Sequence, residues 1–160
     1  MKILFLPVVV LVASCSRAPE CSFSGKFNQE ANAGCLVIHG DKALYVEENN
    51  GKLSFPGGGL QSGEAPQCTA EREVWEETGI KVRAQRKLIT FDNGFQLFEC
   101  DIAGENALDG SERPWRFEIN AVHWFDKHEL AGNKPWRFPE QVKLVQQWLA
   151  EAAARPEEHQ

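Results

Sequence analysis

The chain has 160 residues, 42% of them hydrophobic, which suits one globular domain and is short for two. Its 17 Lys and Arg against 23 Asp and Glu give a formal net charge of -6, and no basic cluster is large enough to track a phosphate backbone. A general binder of nucleic-acid polymers is therefore excluded, and the composition gives no reason to expect disorder over most of the length.

First in chain order is an apolar run, Ile3 to Ala13, far shorter than the roughly 20 residues a helix needs to cross a bilayer. It follows Met1 and Lys2 and ends in small residues, the layout of a secretory signal peptide over residues 1–14. Val12-Ala13-Ser14-Cys15 also resembles the lipobox of bacterial lipoproteins, whose signal is cut before a cysteine that then carries the lipid. That resemblance implies export and a membrane anchor on Cys15, on the periplasmic side of a bacterial membrane. The alternative is a buried Val-rich strand in a cytoplasmic protein.

The chain holds five cysteines, and giving Cys15 to a lipid leaves Cys21, Cys35, Cys68 and Cys100. Four can pair. Two disulfides then fit an oxidising compartment, with three connectivities that sequence does not separate. The alternative is four buried or solvent-facing thiols.

Residues 15–30 are polar and read as a tether or irregular lead-in. "CLVIHGDKALYVEE" reads as two strands around His39-Gly40-Asp41, and "NNG" at 49–51 is a turn before "KLSF". A Gly-rich loop, "PGGGLQSGE", leads into a helix from Ala65 to Thr78, with Pro66 in its first turn and Gly79 as its stop. "KVRAQRKLITF" and "FQLFECDI", parted by Asp92-Asn93-Gly94, form a hairpin. A polar loop over 103–114 precedes the strand "RFEINAVHWF". Val142, Val145 and Leu149 share one face of a last helix opened by Pro139, and residues 151–160 form a tail.

The chemistry concentrates in Gly58 to Ile80, "GGLQSGEAPQCTAEREVWEETGI". Glu73, Glu76 and Glu77 stand at i, i+3 and i+4, so three carboxylates share one helix face. Like charges so placed repel by a few tenths of a kcal/mol per pair, roughly, and a hard divalent cation with oxygen ligands reverses that penalty. Gly57, Gly58, Gly59 and Gly63 leave the preceding loop free of bulky side chains, so its backbone can approach a metal or phosphate. A plain solvated Glu-rich face is the bland alternative for "EREVWEE" taken alone.

The full segment resembles the Nudix box, the defining motif of the Nudix hydrolases. Gly58, Glu64, Arg72-Glu73-Val74, Glu76-Glu77 and Gly79-Ile80 fill every fixed position at the right spacing. A chance match is on the order of 10⁻⁹ per window at ordinary residue frequencies. The flanks "LVIHGDKALYVEE", "KLSFPGG" and "HWFDKHEL" extend the resemblance over about residues 31–150. It implies an α/β/α sandwich with a mixed β-sheet, and an enzyme that cleaves a pyrophosphate linkage in a nucleoside diphosphate joined to another moiety, using Mg²⁺ or Mn²⁺. By the same resemblance, Glu76 and Glu77 are the principal metal ligands with the Gly57 carbonyl. Glu73 is a further ligand or helps to activate water, Arg72 holds a glutamate by ion pairing, and Glu64 supports the loop.

Many relatives carry one more carboxylate shortly before the late Trp, where this chain has Ala121. Glu118 is the nearest acid, and in a regular strand it points to the opposite face from Ala121 unless a bulge intervenes. The group that activates water stays open on sequence alone. His39, His123 and His128 have no zinc-like spacing, and Trp75, Trp115, Trp136 and Phe138 serve either packing or stacking. Two further functions remain open: a non-catalytic Nudix-fold binding module, and an intracellular nucleotide-pool hydrolase without export.

Overall fold

The computed structural model describes residues 18–104, 118–130, 132 and 134–154. The signal segment with Cys15, Trp115 and the end of the tail lie outside the described residues. β1 (Ala33–His39) and β2 (Lys42–Glu48) form the expected first hairpin, followed by two short strands, β3 (Leu53–Ser54) and β4 (Gly57–Gly58). α1 (Pro66–Thr78), β5 (Val82–Thr90), β6 (Gln96–Ile102) and β7 (Ile119–Asp126) come next, then α2 (Lys127–Leu130) and α3 (Gln141–Ala153). Among the described residues, no helix is long and apolar enough to cross a membrane.

The sheet is mixed. Its path runs β3-β2-β1-β6-β5, β7 pairs with β2, and β1 with β6 is the parallel pair. β1 and β2 stay paired only beside their turn, at Ile38 with Ala43 and His39 with Lys42, and then diverge. Residues 53–58 fill the wedge that opens, β3 along β2 and β4 along β1. That wedge sets Gly57 and Gly58 under α1.

Alternation along the strands splits the apolar residues between two cores. Ala33, Cys35, Val37, Leu44 and Phe98 pack with Ala70 and Val74 of α1. Leu36, Ala43, Tyr45, Leu97 and Phe125 pack with Leu130 of α2 and Val145 and Leu149 of α3. The result is the α/β/α sandwich with a mixed sheet that the sequence implies.

The four remaining cysteines pair as Cys21–Cys68 and Cys35–Cys100. The second bond staples the parallel strands β1 and β6 inside the core. Residues 18–30 carry no helix or strand, and the first bond fastens them to α1.

Candidate active site

α1 begins at Pro66, whose missing N–H is no loss in a first turn, and Ala65 caps it without a side-chain bond. It ends where Gly79, at φ 75°, returns its N–H to the Trp75 carbonyl at 2.8 Å. Val74 and Ala70 face the core, which turns Glu73 and Glu77 toward β4. Both are buried, at 3% and 6% exposure, while Glu76 is partly open.

Glycine is needed where helix and wedge meet. A Cβ on Gly58 would lie 2.7 Å from Oε2 of Glu73, and one on Gly57 would lie 2.5 Å from Cα of Gly34. The close approach lets the Gly57 N–H donate to Oε2 of Glu77 at 2.8 Å.

Arg72 organises the rest of the box. Its Nε and Nη2 donate to the two oxygens of Glu64, each at 2.9 Å, and Nη2 also donates to the Gly59 carbonyl at 2.7 Å. Nη1 donates to Glu73 at 2.6 Å and to Glu76 at 2.9 Å. Burial works against the guanidinium charge, and the bonds to Glu64 and Glu73 outweigh it, raising the pKa. Burial likewise opposes ionisation of Glu64, yet Arg72, the Gln61 N–H and the Thr69 hydroxyl hold its carboxyl below the usual range. The resemblance assigned Arg72 an ion pair to one glutamate; it holds three.

Glu77 is the opposite case. Burial pushes its pKa from 4.5 up to about 8; the Gly57 bond opposes that, and Glu73, Glu118 and Glu48 add repulsion. These four glutamates, with Ser54, Gly57, Gly58, Gly59 and Arg137, surround a hollow of about 470 Å³. A second cavity of about 270 Å³ shares the glycine wall, Ser54 and Arg137, and is closed by Phe95 and Phe138.

Glu118 reaches the hollow because the β2–β7 register shifts. Glu47 pairs with Ala121 but Glu48 with Ile119, so Asn120 is one residue extra and strict alternation fails. The Glu118 carbonyl then accepts the Asn49 N–H at 3.1 Å.

Sequence reasoning missed Glu48 and Arg137. Glu48 is the last residue of β2, with nothing local to mark it. Arg137 arrives because Leu53 bonds Pro135 and Arg137 along β3, and its Nη1 then donates to Glu48 at 2.6 Å. Trp136 packs against Tyr45 and Phe125 in the core, and Trp75 is buried. His123 lies 3.0 Å from Glu47, outside the glutamate cluster, and His39 packs edge-on to Trp124.

Among the described residues, no three side chains already converge on a point that would hold a metal ion. The donor chemistry nevertheless fits a hard divalent cation: four carboxylates, those of Glu73 and Glu77 buried, border a glycine wall without bulky side chains.

In this three-layer sandwich α1, on one face of the sheet, presents acidic residues to a glycine wedge, the layout that the box resemblance implies. The NUDIX domain model matches residues 28–149, and the chain belongs to the Nudix family of hydrolases. It is 30% identical over 119 residues to a MutT-like protein of Streptomyces ambofaciens, covering 71% of this chain and 73% of that one. An ADP-ribose pyrophosphatase from Streptococcus suis shares the fold at TM-score 0.62 and 24% identity, covering 81% of this chain and 94% of that one. A UDP-X diphosphatase does so at TM-score 0.60 and 19% identity, covering 83% and 68%.

Proposed function

We propose that this Nudix hydrolase, with Mg²⁺ or Mn²⁺, splits the pyrophosphate linkage of a nucleoside diphosphate joined to another moiety, or of a related diphosphate. The observation that carries the proposal is the hollow under the glycine wall, lined by Glu48, Glu73, Glu77 and Glu118, with Glu73 and Glu77 buried. A buried carboxyl among like charges is unfavourable for stability alone and suited to a cation.

Glu73, Glu76 and Glu77 with the Gly57 carbonyl would hold the metal; Glu73 and Glu77 line the hollow with Glu48 and Glu118, while Glu76, outside that lining, is paired to Arg72. When bound, the cation neutralises phosphate charge and makes water a better nucleophile. The chain supplies the rest. Arg72 fixes Glu73 and Glu76. Arg137, half exposed between the two cavities, offers a cation to the diphosphate. The cavity between Phe95 and Phe138 receives the group beyond it.

The same proposal places the enzyme outside the cytosol, with residues 1–14 removed and a lipid on Cys15. Pairing of Cys21, Cys35, Cys68 and Cys100 supports an oxidising compartment. Free nucleoside triphosphates are scarce there, so a sugar-nucleotide, dinucleotide or prenyl diphosphate is favoured; the fold neighbours named for ADP-ribose and UDP-X agree with the first. Turnover of a panel of such diphosphates with Mg²⁺ tests the chemistry, and absence of turnover with tight binding to one member would instead mean a binding module. Labelled palmitate with cell fractionation tests the anchor; unprocessed soluble cytosolic protein rules it out.

A further inference from the structure

Residues 18–32 do more than lead into β1. Cys21 is bonded to Cys68 in the first turn of α1, and Ser22 donates its N–H and hydroxyl to the two oxygens of Glu71 at 2.8 and 2.5 Å. At the other end, Glu30 Oε1 accepts the Gly63 N–H at 2.6 Å and Asn32 Oδ1 accepts the Leu60 N–H at 3.2 Å. Gly63 and Leu60 belong to the loop that delivers Glu64 to Arg72.

That loop has little packing of its own. Leu60, Gln61, Ser62 and Gly63 are all exposed, so its order depends on the polar bonds it receives. The bonds form a chain: Glu30 and Asn32 hold the loop, Glu64 holds Arg72, and Arg72 holds Glu73 and Glu76.

We propose that residues 21–32 are a strap, fastened by Cys21–Cys68, that sets the Gly59–Glu64 loop and through Arg72 the site glutamates, with Glu30 as a positioning residue. Its effect on turnover rests on the diphosphate-hydrolase reading; its effect on the loop does not.

The two disulfides differ in access. Cys35 and Cys100 are 0% and 2% exposed, whereas Cys21 is open to solvent. A small external dithiol therefore reaches Cys21–Cys68 first. Its thiolate attacks one sulfur, its second thiol resolves the mixed disulfide, two protein thiols form and the reagent leaves as its own disulfide. The strap then loses its covalent fastening while the core staple stays closed.

The test is amide hydrogen exchange in the protein with both disulfides closed, after mild dithiol treatment, and in Cys21→Ser/Cys68→Ser. Opening the outer bond is expected to speed exchange at Leu60 and Gly63 by about tenfold or more, with Leu97 to Cys100 in β6 unchanged. Glu30→Ala should speed Gly63 likewise and lower kcat about tenfold with Mg²⁺ at nearly constant KM, and Glu30→Gln, which keeps a carbonyl acceptor, should recover most of both. Unchanged exchange at Leu60 and Gly63 with the bond open, or equal loss in Glu30→Ala and Glu30→Gln, overturns the strap. If the double variant fails to fold, the dithiol-treated protein and the Glu30 pair decide. A wild-type protein that turns over no diphosphate defeats the hydrolase reading instead, and the exchange result still judges the strap.

Discussion

Across the gap between β4 and α1, the Gly57 N–H donates to Oε2 of Glu77 at 2.8 Å. This bond favours the carboxylate, yet burial and three neighbouring glutamates prevail, and the proton stays to about pH 8. Glu77→Gln retains a carbonyl for the Gly57 bond and removes the charge a cation would need. With Mg²⁺, kcat should fall by about 10²–10³ in Glu77→Gln and in Glu76→Gln, because preorganised charge stabilisation is lost. Steady-state kinetics with a parallel thermal melt checks this, the melt showing no loss of fold.

The raised pKa of Glu77 also dictates a slope of stability with pH. Between 4.5 and about 8 the folded state binds a proton that the unfolded state has released, so stability is full below 4.5 and declines as pH rises toward 8. One group contributes at most about 1.4 kcal/mol per pH unit in that window. Urea unfolding of metal-free protein across pH should show the decline, Glu77→Gln should flatten it, and Mg²⁺ should restore stability at pH 8.

Arg72 meets Glu64, Glu73, Glu76 and the Gly59 carbonyl with three nitrogens of one planar fork. Lysine keeps the charge but has one nitrogen, so Arg72→Lys should lose about 10- to 100-fold in kcat. Substrate KM should move much less. Wild-type turnover in Arg72→Lys would show that charge alone suffices.

At Gly57 an added methyl meets the Gly34 Cα at 2.5 Å and the Ala33 carbonyl at 2.7 Å, both backbone and neither able to yield without moving β1. Gly57→Ala should destabilise by about 1–3 kcal/mol or more, read as a lower urea midpoint.

Much of this was legible in the sequence, and the rest has physical reasons for being hidden. The box spacing put Arg72, Glu73, Glu76 and Glu77 on one helix because a 3.6-residue period is local. Pro66 and Gly79 marked the helix ends for the same reason. Gly57 and Gly58 read as loop, since glycine has no strand preference, and became β4 only because β1 and β2 diverge. Glu118 was ambiguous until the extra residue at Asn120 was placed, and register depends on the partner strand. Glu48 and Arg137 lie 89 residues apart and meet only through tertiary pairing along β3. The cysteine pairs were likewise beyond sequence, because Cys35–Cys100 follows the β1–β6 pairing and Cys21–Cys68 the path of residues 18–30 against α1 rather than spacing.

The most direct test compares wild type and Glu77→Gln for Mg²⁺-dependent release of phosphorylated products from sugar-nucleotides, dinucleotides and prenyl diphosphates. The expected result is wild-type turnover of at least one class, abolished by chelation and reduced about 10²–10³-fold in the variant. Equal turnover by the two proteins, or wild-type turnover indifferent to chelator, would contradict the assignment of the glutamate hollow as the catalytic centre.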